Sequence, residues 1–323
     1  MSKALITESV LTDIANAIRT KDGSTATMKP TEMAAKITAI PTGGGGSEIA
    51  RKIVERTITE YSDSGVTKVG DYAFQSCATL TSASLSSCEN VGYYAFYDCS
   101  GLENIDLPKC ENINTSAFYN AKKLTGATLP KCTTLGANAF YNCTSLTSVS
   151  LPECVTVNNS AFYGCSALAG IDLPECTSLG ASAFYGCTAL ASISLPKCKT
   201  IGARAFDGGS GSMPCREITL PAVEKATRLS NAFRDAWFWT ITLGVATFDT
   251  QLATLYSKTN NPWLRCLNLP NCASVTSATA FANTYLPNLE EIKFSAANEE
   301  AIKACDGYDN NFGASEDVCI YFE

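Results

Sequence analysis

The chain has 323 residues, of which 46% are hydrophobic, 17% charged and 9% aromatic, enough apolar material for a sizeable core and the wrong balance for a disordered polymer. Its 24 Lys and Arg against 31 Asp and Glu leave a net charge of −7, and with no basic cluster to gather phosphates a nucleic-acid partner is excluded. The absence of histidine removes the commonest general base and metal ligand, so no catalytic residue, metal or cofactor is expected and the chain reads as a non-enzyme.

Residues 1–46 carry no repeat. Leu11, Ile14, Ala15 and Ile18 share one helical face, with Thr7 as N-cap and Asp22-Gly23 as a stop. A second short helix starts near Pro30, places Met33, Ile37 and Ile40 on one side, and ends at Pro41. The run Thr42-Gly43-Gly44-Gly45-Gly46-Ser47 is a joint. Two short helices bury little alone. The segment is therefore either a linker and cap or, as its apolar faces favour, an attachment module that docks on another protein. No charged and then apolar leader opens the chain, and no apolar run approaches the roughly 18 residues of a membrane span. A soluble chain without its own export signal is expected.

From residue 66 a period takes over. Phe74, Phe96, Phe118, Phe140, Phe162, Phe184 and Phe206 follow one another every 22 residues, each preceded by alanine. Between them runs a recurrent pattern, Leu102-x-x-Ile105-x-Leu107-Pro108-x-Cys110 in one unit and Leu168-x-x-Ile171-x-Leu173-Pro174-x-Cys176 in another. Alternation at Ile105 and Leu107 marks a short strand with one buried face, while Asn104 and Asp106 point outward. The following proline cannot donate to a ladder, so the strand ends there. A 22-residue unit cannot shield its own apolar face, whereas parallel stacking covers each Leu and Phe with its equivalent in the next unit. The expected fold is an α/β repeat solenoid: a right-handed coil with a parallel sheet on one face, plus the small α-helical N-terminal module. Residues 47–323 form the solenoid, regular over 66–206, irregular with a C-terminal cap over 207–323.

Beyond Phe206 the pattern loosens. Ile218 and Leu220 continue it, then Phe238, Ile241, Leu243 and Ala246, then Leu264, Leu267, Leu269 and Cys272, then Leu289, Ile292 and Phe294. The spacing predicts a short helix over 248–257, a capping helix over 296–305, and a last strand on Val318, Ile320 and Phe322. Most of the 16 cysteines fall at multiples of 11, two per coil, from Cys77 to Cys198. Equivalents in adjacent coils point the same way and not at each other, and neither a C-x-x-C pair nor a histidine is present. Buried thiols suited to a reducing compartment are expected, not disulfides or a metal site.

The unit Leu146-x-x-Val149-x-Leu151-Pro152-x-Cys154-x-x-Val157, with Ala161-Phe162-Tyr163-Gly164-Cys165 after it, resembles the BspA-like leucine-rich repeats of bacterial surface proteins and some phage proteins. Gln75 and Asp207 stand for the Tyr, Ala121 and Gly209 for the Cys, and Ser86 for the Pro, so the end coils depart from the pattern. Ala4-Leu5-Ile6-Thr7 through Lys29-Pro30-Thr31-Glu32-Met33-Ala34-Ala35-Lys36-Ile37, with Ile40-Pro41, resembles the N-terminal segment of prophage tail-associated proteins. Together the resemblances imply a receptor-binding or accessory protein of a virion tail, made in the bacterial cytoplasm and held to a phage structural protein through residues 1–46. The alternative they imply is an adhesin on the bacterial cell surface or secreted.

The outward strand positions are the first candidate surface, the concave face of a curved solenoid: Asn104, Asp106, Thr128, Ser148, Ser150, Asp172, Ser192 and Ser194. Hydroxyls with a few carboxylates suit a polar ligand, a glycan or protein on a cell surface. The same residues would also simply keep a long sheet soluble. Tyr97, Tyr119, Tyr141, Tyr163 and Tyr185 form a second row, able to stack on a sugar or to lie flat, half-buried by one another. In Trp237-Phe238-Trp239, Phe238 holds a core slot, so one Trp should project outward. Three Asn-x-Ser/Thr sites and Asp306-Gly307-Tyr308-Asp309 follow from turn composition and carry no functional weight.

Overall fold

The computed structural model describes residues 56–208, 215–224, 229, 231–233, 236, 238–250, 263–277, 279–281, 287–306, 308–314 and 317–323. The expectations for residues 1–46, the joint at 42–47, the helical spacing beyond residue 250 and Trp237 lie outside the described residues. The chain divides into two compact units, one ending at Pro152 and taking in Cys165–Ala167, the other holding Glu153–Gly164 and Leu168–Glu323.

In the first unit five three-residue strands, Glu60–Ser62, Ser82–Ser84, Asn104–Asp106, Gly126–Thr128 and Ser148–Ser150, pair in parallel in that order. Their register advances by 22 residues throughout, Tyr61 facing Ala83, then Ile105, Ala127 and Val149. A row of two-residue strands, Lys68–Val69, Asn90–Val91, Asn112–Ile113 and Thr134–Leu135, keeps the same register. The middle residue of each longer strand is buried and those on either side of it face outward. The second unit repeats the scheme with Gly170–Asp172 and Ser192–Ser194, with Thr156–Val157, Ser178–Leu179 and Thr200–Ile201, and with four-residue strands, Glu217–Leu220, Thr240–Leu243, Cys266–Leu269, Glu291–Phe294 and Cys319–Phe322. The architecture is a parallel-sheet β-solenoid of stacked coils.

Turns, not helices, close the regular coils. Around each Phe the amides alternate: Tyr94, Phe96 and Asp98 donate to carbonyls of the next coil, Thr115, Ala117 and Tyr119, while Ala95, Tyr97 and Cys99 fold back onto Gly92, Tyr94 and Phe96. Every backbone donor of this segment is thus satisfied without a helix. The alternation needs two residues per coil in the left-handed region, two before and two after the Phe: Tyr94 and Asp98, Ser116 and Asn120, Asn138 and Asn142, Ser160 and Gly164, Ser182 and Gly186. Asn, Asp and Gly tolerate that conformation best. At Gly136 the coils approach so closely that a Cβ would stand 2.5 Å from the Asn114 carbonyl carbon.

Phe74, Phe96, Phe118 and Phe140 are fully buried and stack with centroids 4.9, 5.1 and 5.2 Å apart in the first unit. Phe162, Phe184 and Phe206 do the same in the second, at 5.2 and 6.0 Å. Burial of each ring contributes about 1.5–3 kcal/mol before conformational entropy is charged against it. The file continues into Phe233, 6.2 Å from Phe206. The pairs Ala232-Phe233 and Ala280-Phe281, both buried, extend the Ala-Phe signature past the point where strict spacing hides it.

Two expectations for the irregular coils need correction. Ala246 is exposed and Val245 is buried in its place. The chain takes five residues from Leu243 to Phe248, against six from Leu269 to Val275, yet Phe248 still faces Val275. The lost residue comes out of the turn, and the core position moves back by one. Phe248 accordingly lies in the strand Thr247–Phe248 and not in a helix. The cap is a 3-10 turn at Ala296–Asn298, with Ser295 Oγ accepting from the Ala297 amide, followed by the helix Glu299–Lys303, which buries Ile302. The closing strand Cys319–Phe322 pairs with Glu291–Phe294.

Candidate functional site

The parallel register turns scattered small polar residues into columns. In the first unit one column runs Glu60, Ser82, Asn104, Gly126, Ser148 and a second Ser62, Ser84, Asp106, Thr128, Ser150, with neighbours about 4.8 Å apart along the hydrogen-bonding direction. Asn104, Asp106, Thr128, Ser148 and Ser150 are all exposed. Ser84 Oγ donates to Asp106 Oδ2 at 3.0 Å and steadies that carboxylate. In the second unit Asp172 and Ser194 are register partners and Ser192 faces Gly170, all three of the candidate residues being exposed. Further along, Asn268 donates to Thr242 Oγ1 at 3.1 Å.

The first unit's face is not flat. A hollow of about 370 Å³ opens over Gly126, walled by Asn104, Thr125, Thr128, Ser148 and Ser150, with Ala127 in its floor. Sequence reasoning passed over Gly126 because a missing side chain does not look like a binding group. Its signal was a glycine at an outward position where the neighbouring coils carry Asn and Ser.

The tyrosines lie on the return segments. Tyr97, Tyr119 and Tyr141 stack in the first unit at 4.8 and 4.5 Å, and Tyr163 and Tyr185 in the second at 4.4 Å, with the Arg204 guanidinium 5.0 Å from the Tyr185 centroid. All five are half-buried. Desolvation raises the Tyr97 and Tyr119 phenols, helped by Asp98 at Tyr97 and by Tyr141 at Tyr119. Stacked in this way, Tyr119 has both ring faces covered and offers an edge and a hydroxyl, not a platform. Trp239 is 41% exposed, but Arg216 and Arg265, each one residue before the strand on either side, sit 4.7 and 5.8 Å from its ring centre. It too presents its edge.

The cysteines are thiols, none of them in a disulfide, and 13 of the 16 are buried. Those after the Phe row donate to carbonyls about one coil back, Cys99 to Phe74, Cys143 to Phe118 and Cys187 to Phe162, at 2.9–3.1 Å. Those after the strands donate within their own turn, as Cys110 does to the Asn112 carbonyl at 3.3 Å. Burial pushes the Cys77 thiol up to about 12, with Arg56 opposing, and Cys132 up to about 11. The buried thiols pack as small apolar groups; Cys176, one of those after the strands, is shifted down by its hydrogen bond with Cys198.

A family model described as the BspA type leucine rich repeat region, in 6 copies, matches residues 56–144 and 111–235, more than half of the chain. No curated protein matches it. Among solved structures, the chain is similar to a leucine rich cell surface protein from Faecalibacterium prausnitzii A2-165 at 20% identity, covering 82% of this chain and 79% of that one with a TM-score of 0.45. It is similar at 30% identity to a leucine rich repeat protein of T. pallidum, over 46% of this chain and 76% of that one with a TM-score of 0.45. A leucine-rich repeat protein from Bacteroides ovatus shares 17% identity over 80% of this chain and 88% of that one, with a TM-score of 0.42.

Proposed function

Because the chain belongs to the BspA-type leucine-rich repeat family, we propose that it is a non-enzymatic recognition protein whose polar strand face binds a glycan or protein on a cell surface. One observation carries the reading. The side chains of Asn104, Thr128, Ser148 and Ser150 are exposed in register and make no hydrogen bond within the described residues. A sheet that needed hydroxyls only for solubility would serve as well with them bonded to one another, as Thr200 is to Ser178 at 3.1 Å. Unpartnered groups at a fixed repeat can each be matched by a polar ligand without first breaking a protein contact.

In the same reading residues 1–46 attach the solenoid to a phage or prophage tail structural protein, and the chain acts in the virion tail. The N-terminal sequence pattern supports this, as does a set of thiols suited to folding in a reducing compartment. Two measurements test the proposal. Binding of the full chain to intact bacterial and host cells is compared with that of a Thr128→Arg/Ser150→Arg double variant. Both positions are exposed, so the fold should hold while binding falls by about tenfold or more, a loss of at least ~1.4 kcal/mol; unchanged binding would overturn the strand face as the contact surface. Immunogold labelling of induced phage particles tests the tail, and label confined to the cell envelope would make the protein a surface adhesin instead.

A further inference from the structure

The hollow at Gly126 has a size and a floor, and a carboxylate just outside its rim, that together specify an occupant. Its volume, about 370 Å³, lies at the small end of ligand sites, where one or two sugar rings fit. The floor is mildly apolar: Ile105, Ala127 and Val149 retain 8, 6 and 7% exposure, whereas the flanking leucines Leu107, Leu129 and Leu151 retain 1% or less. The walls carry the Asn104 amide and the hydroxyls of Thr128, Ser148 and Ser150, each able to donate and accept, and the Thr125 hydroxyl, whose proton goes to the Glu103 carbonyl at 3.2 Å. The carboxylate of Asp106 stands beside Thr128 as its register partner. In the row of three-residue strands from Glu60–Ser62 to Ser148–Ser150 no outward position is Lys or Arg; the acids there are Glu60 and Asp106. Lys123, next to this face, is paired with Glu103 at 3.5 Å.

Resting on the reading of the strand face as a binding surface, we infer that the Gly126 hollow is a subsite for a sugar ring bearing a free amine, its ammonium group paired with Asp106 and its hydroxyls with Asn104, Thr128, Ser148 and Ser150. An apolar ring face meets the Ala127 floor. The lack of a cation on the face turns away acidic sugars, whose carboxylates would meet Asp106 unpaired.

Gly126 supplies a clean probe. A Cβ built there meets only Ser148 O and Oγ, both at 3.6 Å, which is ordinary contact, and a β-branched residue suits an exposed strand position. Gly126→Val therefore puts three carbons into the middle of the hollow, leaving too little room for a sugar ring on the Ala127 floor, and keeps the sheet intact. Binding of β-1,4 glucosamine, N-acetylglucosamine and galacturonic acid oligomers to the full chain is measured by calorimetry, with thermal unfolding in parallel. Wild type should prefer the amine form over the acetylated form by about two- to fivefold, the worth of an exposed charge pair, and should bind the galacturonate oligomer more weakly than either. Asp106→Asn should erase that preference, and Gly126→Val should abolish glucosamine binding without lowering the melting temperature. If a folded Gly126→Val protein binds glucosamine oligomers as wild type does, or if the acidic oligomer binds best or none binds, the subsite is wrong. In each of those cases the cell-binding comparison with the Thr128→Arg/Ser150→Arg variant still decides the wider reading.

Discussion

Thirteen buried thiols in one chain make cysteine behave here as a small apolar residue with a weak donor. The thiolate is the reactive form, so burial that raises the thiol pKa also protects it. At pH 8 a disulfide reagent should label Cys319, which is exposed, and more slowly Cys266 and Cys305, which are half-buried. The other thirteen should appear only after denaturation. Stability follows the same shift. Cys77 and Cys132 hold their protons to about 12 and about 11 in the folded state, whereas an unfolded thiol loses its proton near pH 8.5. The folded state binds more protons in that interval, so this contribution is whole below about pH 8.5 and drains away as the pH climbs towards 11–12. The melting temperature should drop between pH 8 and pH 10.5; a flat profile would contradict the burial argument.

A coil is set by its turns as much as by its strand. Asn120 holds φ at 58°, and its side chain bridges Asp98 and Asn142, donating to the first and accepting from the second, both at 2.8 Å. Asn120→Val would force a β-branched residue into the left-handed region, at about 1–2 kcal/mol, and delete the bridging amide, worth about 1 kcal/mol more. Chemical denaturation should show a loss of about 2–3 kcal/mol. Asn120→Gly removes the bridge alone and should lose about 1 kcal/mol, so equal losses in the two variants would mean that backbone strain plays no part. The irregular coils obey the same logic. Between Leu243 and Phe248 the turn gives up one residue, and the strand pairing of Phe248 with Val275 survives.

At the scale of the molecule, each coil needs only its neighbours, so a whole period is dispensable and a fraction of one is not. Deleting residues 111–132 joins Cys110 to Thr133, which occupies the slot of Glu111 one period on. That protein should fold with an undiminished strand signal in circular dichroism. Deleting residues 111–121, half a period, sets the strand pattern against the turn pattern and should give an insoluble or unfolded chain. Equal behaviour of the two deletions would mean that register does not organise this fold.

The period of 22, the buried Ile and Leu of each strand and the Phe file could all be read from residue order, because a stacked coil writes its core as a linear repeat. So could the outward hydroxyls, since a strand alternates faces with period two. Residue order did not disclose the hollow at Gly126, the arginines that bracket Trp239, or the shift from Ala246 to Val245. Each depends on which side chains of different coils meet across roughly 5 Å, and one residue gained or lost in a turn changes that meeting while leaving the local pattern nearly untouched. Sequence alone determined the repeating interior of this protein; the shape and charge of its outer face were decided only when the coils were laid side by side.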